Sequence, residues 1–211
     1  MNGTYGPLRI GPILPISPIG RISLMRKLIA AMNMTLDGYC DHTVGIADDQ
    51  THQHYSDLLR SLDTILYGRI TFQLMEYWKS IVENPTGIKA TDDFADAIDN
   101  IQKIVYSRTL KNVDWNNTEL KSEIVKEEIL ELKRQPGKDI GVGSPSLIVT
   151  LGKLDLIDEY QIGVQPIIIG SGLPLFKNVT NRTDLKLLKT KTFDCGVLVL
   201  YYEPTERNRH N

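Results

Sequence analysis

The chain has 211 residues, 41% hydrophobic and 24% charged, with 24 basic residues against 26 acidic. That balance supports a globular core without disulfide staples and presents no basic field for nucleic acid. No apolar run approaches the roughly 20 residues a membrane helix requires, and two cysteines, Cys40 and Cys195, can build neither a disulfide framework nor a four-thiolate zinc site.

Residues 1 to 24 hold four of the ten prolines and no acid. Proline at that density forbids both a helical signal-peptide core and an amphipathic anchor, which points to a cytoplasmic protein. The segment reads as a non-core extension, with a pairing arm on the domain or on a second subunit as the alternative. The domain proper is expected over 25–203, with a polar tail at 204–211.

Leu28-Ile29-Ala30-Ala31-Met32 is apolar without alternation, the pattern of a strand covered on both faces. Asp37-Gly38 supplies a turn after it. Tyr55, Leu58, Leu59 and Leu62 then fall at i, i+3, i+4 and i+7, predicting a helix over about 50–62. A short buried strand at Thr64–Tyr67 runs into Gly68-Arg69, and a second helix is expected from about Thr71. Thr91-Asp92-Asp93 looks like a helix start, with a hydroxyl at the N-cap and acids in the first turn. Lys103–Tyr106 is another strand, a helix is predicted over 122–134, and Asp139–Gly143 is a strand ending in glycine. Ser144-Pro145 fits an N-cap followed by the first helical position. Tyr160, Ile162 and Val164 alternate with Gln161, Gly163 and Gln165, predicting a strand with one more solvated face. Two final strands, about 186–193 and 197–202, form a hairpin through Asp194-Cys195-Gly196. Strands and helices in alternation with a closing hairpin predict an α/β/α three-layer sandwich, mostly parallel, with an antiparallel C-terminal hairpin.

Three junctions share one chemical character: Gly68-Arg69-Ile70-Thr71, Ser107-Arg108-Thr109 and Gly141-Val142-Gly143-Ser144-Pro145-Ser146. In a parallel sheet all three fall on the carboxyl edge, where open α/β sheets bind ligands. Glycine admits a phosphate close to the backbone, helix starts offer free N–H groups, and Arg69 and Arg108 add fixed cations. Together they suit a pyrophosphate and a separate phosphomonoester. Asp37 and Asp49 are the candidate proton-handling carboxylates beside the same edge. His52 and His54 point to roughly opposite faces of one helix, so no metal site is expected. Ser144 sits in a Gly-x-Gly-Ser setting like a nucleophile elbow, but Pro145 removes the N–H that an oxyanion hole needs.

Six blocks occur in a telling order: Met34-Thr35-Leu36-Asp37-Gly38-Tyr39, Leu66-Tyr67-Gly68-Arg69-Ile70-Thr71, Tyr106-Ser107-Arg108-Thr109-Leu110, Ile140-Gly141-Val142-Gly143-Ser144, Leu156-Ile157-Asp158-Glu159-Tyr160 and Gln165-Pro166 through Phe176. In these the chain resembles the dihydrofolate-reductase-like superfamily, closest to the C-terminal reductase domain of bifunctional riboflavin biosynthesis enzymes and its stand-alone bacterial relatives. The resemblance covers about residues 25–203.

The resemblance implies a bound NADPH, with Arg69, Thr71, Ser107, Arg108 and Thr109 on its 2′-phosphate side and Gly68 among the cofactor-binding residues. Gly141, Val142, Gly143 and Ser144 would receive the pyrophosphate. Asn33, Gly38, Pro166 and Gly170 fall on the substrate side, with Asp37 and Asp49 as catalytic carboxylates. The implied reaction is hydride transfer to a C=N or C=O bond of a small heterocyclic or sugar-like substrate by a homodimer. The folate-reducing branch carries an acid near the position of His52, which argues against dihydrofolate itself. The riboflavin branch carries a deaminase domain in front, which 24 proline-rich residues do not match, so the substrate stays open. An NADP(H)-binding dimeric protein without turnover is the alternative.

Overall fold

The computed structural model describes residues 25–46 and 48–205; the predicted extension at 1–24 and positions 206–211 of the predicted tail lie outside the described residues. Among these the elements follow as β1 (Leu28–Thr35), α1 (Asp49–Ser61), β2 (Leu62–Gly68), α2 (Arg69–Met75), α3 (Tyr77–Glu83), α4 (Lys89–Asn100), β3 (Gln102–Tyr106), β4 (Thr118–Lys121), α5 (Lys126–Arg134), β5 (Asp139–Val142), α6 (Pro145–Lys153), β6 (Glu159–Gln165), β7 (Leu185–Thr192) and β8 (Leu198–Pro204). They build an eight-stranded sheet in the order β4-β3-β2-β5-β1-β6-β8-β7. The run from β4 to β6 is parallel, and β8 and β7 are added antiparallel.

The unbroken apolar run of β1 divides between two cores, as burial on both faces requires. Leu28 and Ala30 join Ile140, Ile148, Leu151 and Ile162 under α5 and α6. Ile29 joins Leu59, Leu62, Ile65, Phe72 and Ile98 under the helices from α1 to α4. The three-layer sandwich with its antiparallel C-terminal hairpin is as expected from sequence.

Several local expectations are corrected. β6 has no solvated face: Gln161 is 8% and Gln165 2% exposed. The hairpin adds β8 outside β6, and the Gln165 side chain turns inward to accept the Ile46 N–H at 2.9 Å. Helix α4 starts at Lys89, two residues before Thr91, because the Asp92 carboxylate accepts the N–H groups of Thr86 and Gly87 and so ties down the preceding turn. Helix α5 starts at Lys126 rather than 122, since residues 118–121 pair with β3 as β4, a polar edge strand without an alternation signal. β8 runs through Pro204, and the Thr205 N–H donates to Asp184 O, so the ordered domain enters the predicted tail.

Charges at the amino edge of the sheet are internally satisfied. Arg26 pairs with Asp63, and Lys133 bonds Asp158, whose carboxylate also accepts the Leu28 N–H. Lys103, fully buried, donates to the carbonyls of Asp99, Ile101 and Asn116 and so closes the end of α4.

Candidate functional site

Strands β3, β2 and β5 are neighbours, so their carboxyl ends and the three glycine, hydroxyl and arginine junctions come side by side. Tyr106 pairs with Gly68 at the ends of β3 and β2. The Gly68 N–H donates to Ser144 Oγ at 2.9 Å, and the Gly143 N–H donates to Leu66 O at 3.3 Å. Residues 68–71, 107–109 and 141–146 thus form one continuous rim.

Within the rim the glycines divide by cause. A Cβ on Gly141 would lie 2.6 Å from Leu62 Cδ1, and one on Gly143 would lie 3.0 Å from Tyr67 Cε1. Both are small because β2 side chains pack across them, and Val142 is fully buried in the core. Gly68 is different. A Cβ there would meet Ser146 Oγ at 3.5 Å, an ordinary contact, and its backbone is extended, so neither packing nor conformation demands glycine. Its bare backbone instead opens a cradle beside two serine hydroxyls.

Ser144 stands at the predicted N-cap of α6, but its hydroxyl makes no cap. It is buried and committed to Gly68, so the exposed hydroxyl of that first turn is Ser146, the last residue of the junction read from sequence. Pro145 has no N–H to lose, and the N–H groups of Ser146 and Leu147 have no acceptor within the helix, leaving donors at the rim. Ser107 Oγ accepts the N–H groups of Thr109 and Leu110, which holds the turn that presents Arg108 and Thr109 to solvent. Thr71 is half-buried in α2.

The arginines carry the clearest electrostatic signal. Among the six described arginines, Arg26, Arg60, Arg134 and Arg182 each pair with a carboxylate. Arg69 bonds only Gln73 Oε1, at 3.2 Å, and Arg108 has no hydrogen-bond or ion-pair partner among the described residues. The two described arginines without a carboxylate both stand on this rim, with guanidinium donors open to an anion.

A second cluster lies at the ends of β1 and β6. Thr35 Oγ1 donates to Asp37 at 2.6 Å, and Asp37 accepts the N–H groups of Gly170 at 2.7 Å and Ile169 at 3.2 Å. The Thr35 hydroxyl above all, then the two backbone donors, holds the Asp37 carboxyl below its ordinary range. Asp37 is therefore an ionised acceptor that clasps the 166–175 loop to the 36–40 turn. Backbone bonds from Leu36 N–H to Ile167 O, Cys40 N–H to Leu173 O and Leu175 N–H to Gly38 O complete the clasp. Gly38 and Gly170 have φ of +88° and +76°, which the clasp geometry demands of them. Pro166 packs over Gly196 of the β7–β8 turn.

Asn33 Oδ1 accepts the Tyr55 hydroxyl at 2.6 Å and fills the space above Gly163, where a Cβ would sit 2.2 Å away. Tyr55 thus fixes the Asn33 side chain, a contact not read from sequence because the spacing of Tyr55 reads as core. Asp49 is exposed at the first position of α1, while Asp48 takes the capping role by accepting the Thr51 N–H. No hydrogen bond or ion pair joins Asp49 to Asp37. His52 packs on Trp78 and Phe94, whereas His54 packs on Phe193 and Tyr201, the opposite directions expected.

Residues 26–199 match the RibD C-terminal domain family. The chain is 35% identical over 181 residues to the uncharacterised protein YyaP of Bacillus subtilis, covering 84% of this chain and 94% of that one. Its fold is similar to a putative riboflavin biosynthesis protein from Shewanella sp. PV-4, with a TM-score of 0.67 at 19% identity over 85% of this chain and 99% of that one. It is also similar to dihydrofolate reductase from Enterococcus faecalis complexed with NADP(H), with a TM-score of 0.58 at 12% identity over 85% and 97% of the two chains.

Proposed function

From the premise that the chain belongs to the RibD C-terminal domain family, we propose that it is an NADPH-dependent reductase acting on a C=N or C=O bond of a small heterocyclic or sugar-like substrate. The observation that carries the NADPH preference is the placement of Arg69 and Arg108, the described arginines without a carboxylate, on one rim with Gly68, Ser107 and Thr109. A phosphomonoester is the chemistry that satisfies two such cations beside hydroxyl donors. The fold neighbour from Enterococcus faecalis, complexed with NADP(H), supports the same reading.

In this reading Arg69, Thr71, Arg108 and Thr109 hold the 2′-phosphate, and Ser107 shapes their turn. The pyrophosphate meets the backbone of Gly68 and Gly143 and the first N–H groups of α6, with Ser146 as the hydroxyl and Ser144 as its buried support. Gly141 and Val142 build the strand end beneath them. The cofactor, when bound, supplies the hydride. The chain's own part is to orient the substrate between Asn33 and the Pro166–Gly170 loop. Asp37 and Gly38 hold that loop in register with β1, and Asp49 is the exposed carboxylate available for proton handling.

One observation favours the alternative of nucleotide binding without turnover. Asp37 is committed as an ionised acceptor, so it lacks a proton to give. Parallel titrations with NADPH and NADH, followed by Trp78 and Trp115 fluorescence and by thermal shift, test the binding reading. Micromolar NADPH binding with much weaker NADH binding is expected, and no binding of either would overturn it. Oxidation of NADPH with pterin, pyrimidine or carbonyl substrates separates reductase from binder.

A further inference from the structure

The cofactor rim and the substrate side differ in charge. The rim carries Arg69 and Arg108, whereas residues 28–59 and 154–176 contain no lysine or arginine. Those two stretches supply β1, the connection into α1, nearly all of α1, β6 and the clasped loop. The connection carries the carboxylates of Asp37, Asp41, Asp48 and Asp49 against one imidazole, His42. Hydroxyl donors hold three of these acids below the usual carboxylate range: Thr35 on Asp37, Thr43 on Asp41 and Thr51 on Asp48. Asp48 also takes the Thr51 N–H, so the start of α1 is capped by its own acid rather than open to an anion. Cations on the surrounding elements are engaged elsewhere. Lys79 donates to Asp114 O, Lys189 lies over the Tyr201 ring and Lys191 over the Phe193 ring. Lys177 comes only past Phe176, whose ring packs on Tyr160 at the α6 side of the sheet.

The mouth of this side is apolar. Leu36 is 62% and Ile168 71% exposed, and Ile46 and Leu173 are exposed beside them. Backbone bonds gather the four: Leu36 N–H to Ile167 O, Cys40 N–H to Leu173 O, and Ile46 N–H to Gln165 Oε1. Exposed apolar side chains grouped at a cleft mark a ligand surface. Beneath them stand two carboxamides. Asn33 pairs with Gly163 and Thr35 with Gln165, which puts Asn33 and Gln165 on the same face of the sheet, under α1. The Ile46 N–H fixes Gln165 Oε1 and so leaves Nε2 as the free end, without an acceptor among the described residues. Gln165 is almost fully buried, yet this nitrogen is not sealed in, since the enclosed unpartnered side-chain atom among the described residues is His54 Nε2. It is a fixed, uncharged donor that lacks its acceptor.

We propose that the substrate is a neutral ring compound that offers a carbonyl oxygen to the Gln165 amide and carries no phosphate, anion recognition being confined to the cofactor rim. This rests on the reductase reading above and narrows its substrate class. A phosphate dianion on this side would stand among carboxylates with no cation to pair it. A neutral ring instead gains the apolar surface of Leu36 and Ile168 and brings no charge out of water. Gln165 is the specificity-determining residue, because its donor accepts a carbonyl and leaves an amino group in that place unpaired.

Calorimetric titration of the full chain saturated with NADP⁺ tests it, since the filled rim leaves the substrate side free. The probes are two matched pairs, uridine with uridine 5′-monophosphate and riboflavin with its 5′-phosphate. The neutral member of at least one pair should bind, and its phosphorylated partner should bind at least about tenfold more weakly. Ile168→Lys, at an exposed side chain, should bring that partner to within about threefold of the neutral compound, with the melt and NADP⁺ affinity unchanged. Gln165→Glu, which keeps an oxygen for the Ile46 N–H and removes the donor, should weaken the neutral compound about tenfold. Equal or tighter binding of a phosphorylated member overturns the proposal. So does the failure of both neutral compounds to bind, or binding that ignores both substitutions. Failure of the reductase reading shows separately, as the absence of NADP⁺ binding before any probe is added.

Discussion

His54 makes the acid stability of this protein a test of its packing. The ring is buried against Tyr55, Phe193 and Tyr201, and its Nε2 has no hydrogen-bond partner. Burial first, then the nearby charges of Lys191 and Lys189, pushes its pKa down from 6.5 to about 4. The folded state therefore holds the neutral ring while the unfolded chain takes a proton at ordinary acidity. The sign follows directly: the contribution is fully present above about pH 6.5 and is lost as pH falls through about 4. At 1.36 kcal/mol per pKa unit the shift is worth on the order of 3 kcal/mol. The carboxyls held low by hydrogen bonds, such as Asp37, Asp48 and Asp92, lie below the ordinary carboxylate value of 3.8 and so titrate below this window. Urea unfolding across the window should show wild-type stability falling by that amount, while His54→Leu stays flat until the carboxylates titrate. Near neutral pH the variant should match or exceed wild type, because it removes a buried polar atom that has no partner. Parallel curves for the two proteins would refute the reasoning.

The rim makes its own predictions. Arg69→Ala and Arg108→Ala should each weaken NADPH about tenfold or more while leaving NADH nearly unchanged, and equal loss for both cofactors would mean the 2′-phosphate is misplaced. Gly141→Ala should cost about 1–3 kcal/mol in urea unfolding, because its Cβ collides with Leu62, whereas Gly68→Ala should leave stability nearly unchanged and reduce NADPH affinity. Asp37→Asn should speed amide exchange at Ile169 and Gly170 and raise KM more than it lowers kcat, and unchanged exchange would show that the backbone bonds alone hold the loop.

Much of the fold was legible because its signals are local. An apolar run without alternation marked β1 as central, and helical spacing marked the face of α1. Gly68-Arg69, Ser107-Arg108 and Gly141–Ser144 could be placed on one edge because parallel strands share a direction. What each rim residue does was not legible. Ser144 looked like a free cap, yet its hydroxyl goes to a backbone N–H 76 positions away. Gly141 and Gly143 looked like ligand approaches, yet β2 side chains lie against them. Asp37 looked like an acid, but donors 132 and 133 residues downstream make it a fixed acceptor. Gln161 and Gln165 looked solvated, and the added hairpin buried them. The sequence by itself determined most of the strands and helices and which junctions share glycine, hydroxyl and arginine chemistry, since those follow from neighbours along the chain. Only the tertiary structure decided which hydroxyl, glycine and carboxylate is free to act, because a polar group's role depends on whether a distant part of the chain has already claimed it.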